Sequence, residues 1–316
     1  MKTVKAYAPI NIALVKYWGK RDEALVLPYN PSISLSLDIF GTTTTLMEQA
    51  TPGFKFLLNG CEDAKTAVKV RRFLEPFGFD ETIMGLTIES VNSGPTAAGL
   101  ASSASAFAAL AVACNHYFGN PFDFDALSAL TRKGSGSAIR SLLGGCVIWH
   151  DDGHVSKLSW PFEDVGLAVV ALASGKKAIG STEGMKHTVL TAESYPSWVA
   201  QSHQDAGQFM SYLEAQDFSK LGQLAEDNAL RMHKVCADAK PPILYLNERS
   251  NALIEGIQHA RKQGLFEAYC TMDAGPNVKL LHRKNDADAL KRWLEAHGYP
   301  TPLFSGIDTK GATIYE

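Results

Sequence analysis

A run of small residues and serines at positions 95–105 is the strongest chemical signal in the chain. It reads Pro-Thr-Ala-Ala-Gly-Leu-Ala-Ser-Ser-Ala-Ser and leads into an alanine-rich helical pattern. Glycine and alanine let a ligand approach the backbone, and the N–H groups at a helix N-terminus attract phosphate. Serine hydroxyls add donors or a Mg²⁺ ligand. The run predicts a phosphate-binding loop without the lysine of GxxxxGK[ST], although a serine-capped packing helix fits its composition equally well.

Three further segments carry donors that suit an anionic ligand. The segment 11–20 places two lysines around aromatic residues, 134–140 alternates glycine and serine before an arginine, and 176–185 combines lysines with hydroxyls in a predicted loop. An arginine fork can hold two phosphate oxygens at once. Solvated surface lysines, an interhelical turn and an ordinary surface loop are the alternatives for the three segments. The side chains concerned are Lys16, Tyr17, Lys20, Ser135, Ser137, Arg140 and Ser181.

One carboxylate, Asp273, follows an apolar strand pattern and precedes Ala-Gly-Pro-Asn, which leaves no room for a helix. A carboxylate at such a position can act as a general base or stabilise charge, although the same residues also suit a simple turn. A second acidic segment, His150-Asp-Asp-Gly-His154, is better explained as a hairpin turn than as a metal site.

Composition limits the classes of function. The chain has 316 residues, of which 46% are hydrophobic, and its net charge is −3. This length suggests two domains, and the small net charge predicts neither nucleic-acid nor membrane binding. The five cysteines are an odd number at wide spacing, which predicts reduced thiols. We find no signal peptide and no run of about 20 apolar residues, so we expect a cytoplasmic protein.

The periodicity of apolar residues places these segments on elements. Alternation predicts strands over 32–47 and 82–91, an extended segment is predicted over 4–13, and further strands are predicted over 145–150 and 154–160. Helical patterns predict helices over 64–77, 102–118 and 124–133. A second half then follows, with strands over 166–174, 265–273 and 278–282 and helices over 188–213, 217–235, 250–264 and 287–297. The mixture predicts an α+β architecture.

Taken together and in this order, the segments resemble the GHMP kinase superfamily and, within it, the diphosphomevalonate decarboxylase family. The serine-rich loop is shared by the superfamily, whereas KYWGK at 16–20, GSGSAIR at 134–140, GSTEGM at 180–185 and DAGPN at 273–277 are specific to the decarboxylases. The resemblance implies a ribosomal-protein-S5-like N-terminal domain over 1–163 and an α+β C-terminal domain over 164–316. It places the active site in the cleft between them.

The resemblance also implies a reaction, ligands and residue roles. Mevalonate 5-diphosphate is converted with ATP and Mg²⁺ into isopentenyl diphosphate, ADP, phosphate and CO₂, by an enzyme expected to be a homodimer. Asp273 and Lys16 are implied to be catalytic. Substrate contacts are implied for Tyr17, Lys20, Ser135, Ser137, Arg140 and Ser181. ATP contacts are implied for Asn92, Gly99, Ser102, Ser103 and Ser105, with Ser105 also a metal ligand.

Two other functions remain open from the sequence. A related enzyme could decarboxylate mevalonate or its 5-phosphate, or act as a 3-kinase that stops after phosphoryl transfer. Retention of both Asp273 and Lys16 argues against the kinase, and the number of anion donors favours a diphosphate. A non-catalytic sensor of ATP or isoprenoids would have lost a catalytic carboxylate, and none is lost.

Overall fold

The computed structural model describes residues 1–94, 102–173 and 179–315. In the first half the strands are β1 (Thr3–Val15), β2 (Lys20–Asp22), β3 (Leu27–Pro28), β4 (Ser32–Gln49), β5 (Gly53–Leu58), β6 (Cys61–Glu62), β7 (Gly85–Asn92), β8 (Cys146–Trp149) and β9 (Val155–Leu158). The helices there are α1 (Ala64–Leu74), α2 (Ser102–Tyr117), α3 (Phe124–Gly134) and α4 (Ile139–Leu143).

The second half contributes the remaining elements. Its strands are β10 (Val165–Val170), β11 (Ala268–Met272), β12 (Val278–Arg283), β13 (Leu303–Ser305) and β14 (Thr313–Tyr315). Its helices are α5 (Ser181–Thr191), α6 (Tyr195–Glu214), α7 (Phe218–Asp238), α8 (Glu248–Lys262) and α9 (Ala287–Ala296). Within the described ranges, no helix is long and apolar enough to cross a bilayer.

The first sheet has the order β14-β1-β4-β7-β5-β6, with β8 paired to β4 and β9 paired to β8. Its pairings are antiparallel except for β5 with β7. Helix α2 packs on β1 and β4. Alanines such as Ala108 and Ala111 are fully buried there, so small side chains let the helix lie close to the sheet.

The second sheet is antiparallel, in the order β11-β12-β10-β13. Helices α7 and α8 pack against β11, and a core of Leu253, Ile257 and Leu280 lies between these layers. The two halves also share a core, in which Ile12 and Leu14 of β1 pack in one cluster with Phe209 of α6. Burial of each such side chain contributes about 1.5–3 kcal/mol. The shared core joins the two halves beneath the end of β1. The predicted two-domain α+β fold is confirmed.

Several predicted elements differ from those observed. The single helix predicted over 188–213 is two helices, α5 and α6, because residues 192–194 are not helical and Pro196 starts a new helix in its first turn. The loop predicted over 176–185 is wrong in its second part, since α5 begins at Ser181. The predicted hairpin at 150–154 is confirmed by antiparallel pairing of β8 with β9.

The end of the chain returns to the first sheet. Strand β14 pairs antiparallel with β1, with Lys5 opposite Tyr315 and Tyr7 opposite Thr313. The segment predicted as a second domain, 164–316, therefore includes a strand that belongs to the sheet of the first. Short apolar stretches such as β13 and β14 lack the length that alternation needs to be recognised in a sequence.

Candidate active site

A cleft of about 290 Å³ lies where the end of β1, the α3–α4 connection, α5 and the end of β11 meet. All of the predicted catalytic and substrate-binding residues line it. Those present are Lys16, Tyr17, Lys20, Ser135, Ser137, Arg140, Ser181 and Asp273, together with Ser103 of the predicted phosphate loop. Residues from widely separated segments thus share one cavity with many cationic and hydroxyl donors.

Asp273 lies directly after β11 and is held by two lysines. Its Oδ1 accepts from Lys16 Nζ at 3.0 Å, and its Oδ2 accepts from Lys279 Nζ at 2.9 Å. Both lysines are only 2% exposed, whereas 29% of the Asp273 side chain is open to the cleft. The site therefore presents a fixed carboxylate to a ligand while its two counter-charges stay buried.

Burial and charge act in opposite directions on this cluster. Burial alone would raise the pKa of Asp273, but the charges and hydrogen bonds of Lys16 and Lys279 outweigh it and hold the pKa well below its usual range. Burial, with a smaller contribution from the positive charge of Lys279, lowers the pKa of Lys16 to about 8 against the opposing effect of Asp273. Asp273 is thus an anion near neutral pH, and Lys16 loses its proton unusually easily for a lysine.

Backbone and side-chain contacts fix Lys16 at the end of β1. Its ammonium also donates to the Ala13 carbonyl at 2.7 Å, and its backbone N–H donates to Asn228 Oδ1 on α7 at 2.8 Å. Asn228 in turn donates to Asp205 of α6 at 2.7 Å, and Asp205 pairs with Arg231. An ammonium has three donors, and the two described acceptors leave one for a ligand.

Arg140 is a second buried cation, carried on the short helix α4. Its Nε donates to Asn11 Oδ1 at 3.2 Å and its Nη1 donates to Ser32 Oγ at 2.6 Å, while Asn11 donates to Ser141 Oγ at 2.7 Å. Burial lowers the pKa of Arg140 to about 10, so the guanidinium remains charged at neutral pH. Its Nε and Nη1 are held by Asn11 and Ser32. Because Arg140 also lines the cleft, its positive charge can attract an anionic ligand there.

Tyr17 offers an unpaired donor. Its ring lies edge-on to Trp149 with centroids 4.7 Å apart, and burial raises its pKa, so the hydroxyl keeps its proton. Among the described residues that hydroxyl has no hydrogen-bond partner. A buried donor without a partner is costly, and a ligand oxygen in the cleft would satisfy it. The Tyr17 hydroxyl is therefore a candidate donor to an oxyanion in the cleft.

Two more predicted contacts also line the cleft. Lys20 forms an ion pair with Glu23 at 3.1 Å, and Ser181 is the first residue of α5. The N-terminus of this helix lines the cleft, and its backbone N–H groups and dipole favour an anion.

The phosphate-loop residues fall into three groups. Gly99 and the side chain of Ser102 lie outside the described residues. Ser103 lines the cleft, with its Oγ 3.5 Å from Ser135 Oγ. Ser105 is fully buried, and a hydroxyl chain joins it to Thr42 at 2.7 Å and Thr42 to Asn92 at 2.8 Å. The proposed ATP and metal roles of these residues stay predictions.

Three residues of the site were not predicted individually from the sequence. Asn11 lines the cleft, Lys279 contacts Asp273 and Asn228 contacts the backbone of Lys16. A lysine inside the apolar strand Val278-Lys-Leu-Leu-His282 is a signal for Lys279, because an unpaired buried charge is expensive and implies a partner. Asn11 and Asn228 had no comparable signal, since polar residues in strands and helices are common at surfaces.

Similarity to known proteins agrees with this geometry. Residues 8–159 match the family described as "Diphosphomevalonate decarboxylase-like N-terminal domain", and residues 167–305 match "Mevalonate 5-diphosphate decarboxylase C-terminal domain". The diphosphomevalonate decarboxylase of Candida albicans is 36% identical over 94% of this chain and 89% of its own.

Solved structures resemble the whole chain. Mevalonate diphosphate decarboxylase from Staphylococcus aureus has a TM-score of 0.92 at 37% identity and covers 100% of this chain and 98% of its own. The structure described as MDDEF in complex with MVAPP, AMPPCP and magnesium has a TM-score of 0.91 at 37% identity, with 99% of both chains covered.

The two-domain fold and a cleft lined by cationic and hydroxyl donors are typical of an enzyme class that acts on phosphorylated metabolites. Within that class, the chain belongs to the diphosphomevalonate decarboxylase family. The resemblance drawn from the sequence motifs is confirmed.

Proposed function

We propose that this chain catalyses the ATP-dependent decarboxylation of mevalonate 5-diphosphate to isopentenyl diphosphate, releasing ADP, phosphate and CO₂. The observation that carries the proposal is the Asp273 carboxylate, held between two buried lysines and open to a cleft lined by anion donors. Family membership and the relative solved with MVAPP, AMPPCP and magnesium support it.

Asp273 is proposed to act on the C3 hydroxyl of the substrate. A tertiary alcohol is a weak nucleophile, so the carboxylate orients this hydroxyl and accepts its proton while the oxygen takes the γ-phosphoryl group of ATP. The resulting C3 phosphate is a far better leaving group than hydroxide. The C3–O bond then breaks, the bond to the carboxyl carbon supplies the electron pair of the new double bond, and CO₂ departs. The anionic Asp273 favours the positive charge that develops at C3.

The cationic groups have a separate role. Lys16 lies beside Asp273 and is proposed to offset the charge of the transferred phosphoryl group, while Tyr17, Lys20, Ser135, Ser137, Arg140 and Ser181 are proposed to hold the diphosphate and carboxylate. We propose Asn92, Gly99, Ser102, Ser103 and Ser105 for ATP. Oxygen donors suit Mg²⁺, which takes few protein ligands and several phosphate oxygens, so Ser105 is the proposed ligand of an ion that neutralises phosphate charge.

The test is a substrate comparison. Purified protein is incubated with ATP, Mg²⁺ and either mevalonate, its 5-phosphate or its 5-diphosphate, and CO₂ and ADP are measured separately. We expect equal amounts of CO₂ and ADP from the diphosphate and little from the other two. ADP without CO₂ would identify a 3-kinase, preference for another substrate would correct the substrate assignment, and binding without turnover would identify a sensor.

We also propose that the protein is a cytoplasmic homodimer. The support for the dimer is the family expectation, and the support for the compartment is the widely spaced, unpaired cysteines. Light scattering coupled to gel filtration distinguishes a mass near 68 kDa, twice the 34.2 kDa of the chain, from a monomer.

A further inference from the structure

Lys279 is a buried charge to which the proposed reaction gives no role. It is the second residue of β12 in the second sheet, is 2% exposed and donates to Asp273 Oδ2 at 2.9 Å. Asp273 and Lys16 line the cleft, but Lys279 is not among the residues that form its wall. It therefore contacts the carboxylate from the protein side.

A second buried lysine is more than one carboxylate needs. Lys16 and Lys279 together bring two positive charges to the single negative charge of Asp273, and Arg140 adds a third cation nearby. Burying an ammonium costs several kcal/mol unless pairing and hydrogen bonds offset it. One lysine would be enough to keep Asp273 ionised. The second lysine therefore has a further effect on the Lys16–Asp273 ion pair.

We propose that Lys279 is a positioning residue that anchors the Asp273 carboxylate through Oδ2 and adds a second positive charge beside the Lys16–Asp273 ion pair. Anchoring Oδ2 prevents rotation of the carboxylate and leaves Oδ1 shared between Lys16 and the ligand. The inference rests on the proposed function, because it assigns a task to the carboxylate of that reaction.

The charge of Lys279 has a measurable effect on Lys16. Like charges disfavour each other, so Lys279 makes Lys16 release its proton more easily, in the same direction as burial. The groups that face Lys16 from the surrounding elements are Asp273, Lys279 and Arg140. His233 on α7 faces the same cluster, but burial and the charge of Lys16 lower its pKa to about 3, so it is neutral where Lys16 titrates.

Three substitutions separate the hydrogen bond from the charge. K279R keeps both, K279Q keeps a donor for Oδ2 but removes the charge, and K279M removes both. We expect the alkaline limb of the kcat/KM profile to move upward by roughly one pH unit in K279Q and K279M and to stay in place in K279R. We expect kcat to fall about tenfold or more in K279M and less in K279Q, because only K279Q still anchors the carboxylate.

A matched control is K284M, which removes an exposed lysine just after the same strand. Its pH profile should equal that of the unaltered protein. Thermal unfolding of each variant shows which of them fold, and if K279M does not, K279Q and K279R still provide the comparison of charge at constant hydrogen bonding. An alkaline limb that is the same in K279Q and K279R would overturn the proposal and leave Lys279 a structural residue.

A second readout is independent of turnover. In protein labelled with [¹³Cε]lysine, the Lys16 signal is assigned by its loss in K16M and is titrated by NMR. Its midpoint should rise in K279Q and not in K279R. This shift tests the inference even if the substrate comparison were to overturn the proposed reaction, so the two failures are distinguishable.

Discussion

Asp273 is the residue on which the proposed chemistry depends. We expect Asp273→Asn to lower turnover by about 10² to 10⁴, the usual contribution of a general base, because the amide keeps the shape and loses the charge. It also leaves two buried lysines without a counter-ion, which costs on the order of 3–5 kcal/mol of stability.

Steady-state CO₂ release and denaturant unfolding measure the two effects. Asp288→Asn, on the exposed first turn of α9, is the matched control: it should leave turnover unchanged and lower stability only by the helix-dipole contribution of about 0.3–1 kcal/mol. Near-normal turnover in Asp273→Asn would remove this residue from the site.

Lys16 gives the site a pH dependence of defined sign. Its pKa of about 8 means that it loses its positive charge as pH rises through about 8, whereas Asp273 stays ionised far below neutral pH. We expect kcat/KM to fall on the alkaline side with a midpoint near pH 8 and to show no acid limb from Asp273. A profile that stays flat to pH 10 would contradict the role of the Lys16 ammonium.

Arg140 tests whether shape matters as well as charge. Lysine cannot reproduce the planar fork that contacts Asn11 and Ser32 at the same time, so Arg140→Lys leaves buried polar groups unpaired. We expect a rise in KM for the isoprenoid and a fall in kcat, together about 10- to 100-fold in kcat/KM. Arg292→Lys, at an exposed position of α9, is the control, and equal kinetics in both variants would show that Arg140 contributes charge alone.

At the scale of elements, the KYWGK segment is placed by its contact with α6. Gly19 has φ of +110°, and a Cβ there would overlap the Tyr195 hydroxyl, which donates to the Trp18 carbonyl at 2.8 Å. We expect Gly19→Ala to destabilise the protein and to raise KM, because Tyr17 and Lys20 would move with the segment.

The control for this change is Gly60→Ala. Gly60 also has a positive φ, of +80°, but nothing lies within 4 Å of its Cβ position. Gly60→Ala should therefore lower the free energy of unfolding only by the cost of a positive φ for a residue with a Cβ, about 1–2 kcal/mol. If the two variants lost equal stability and kept equal KM, the Tyr195 contact would have no part in placing the segment.

Helices and strands with long, regular apolar patterns could be predicted from the sequence. Elements whose existence or boundaries depend on contacts with distant parts of the chain could not. The extended segment of β1, the alternation in β4 and the helical patterns of α1 and α7 predicted the correct type of element, with boundaries within a few residues. The break before α6 and the start of α5 were missed, because apolar spacing continues across them. Lys279 shows the same limit at the site, since only the fold brings β12 beside the end of β11.

At the scale of the whole molecule, β14 ties the end of the chain to the first sheet. Ile314 packs with the core of that sheet, whereas Tyr315 is half exposed. We expect removal of residues 313–316 to lower the unfolding temperature and to uncover the edge of β1, which promotes aggregation. Tyr315→Ala is the milder control, and an unchanged unfolding temperature in the truncated protein would show that β14 adds no stability.

The position of β14 also has a consequence for biosynthesis. Residues 313–315 leave the ribosome after the other strands and helices of the second domain, yet their partner is β1, which is synthesised before all of them. During translation the edge of β1 that pairs with β14 therefore stays unpaired until the rest of the chain has been synthesised. The first sheet reaches its native width only after the second sheet has been synthesised, which departs from the N-terminal-first order in which domains generally fold during synthesis.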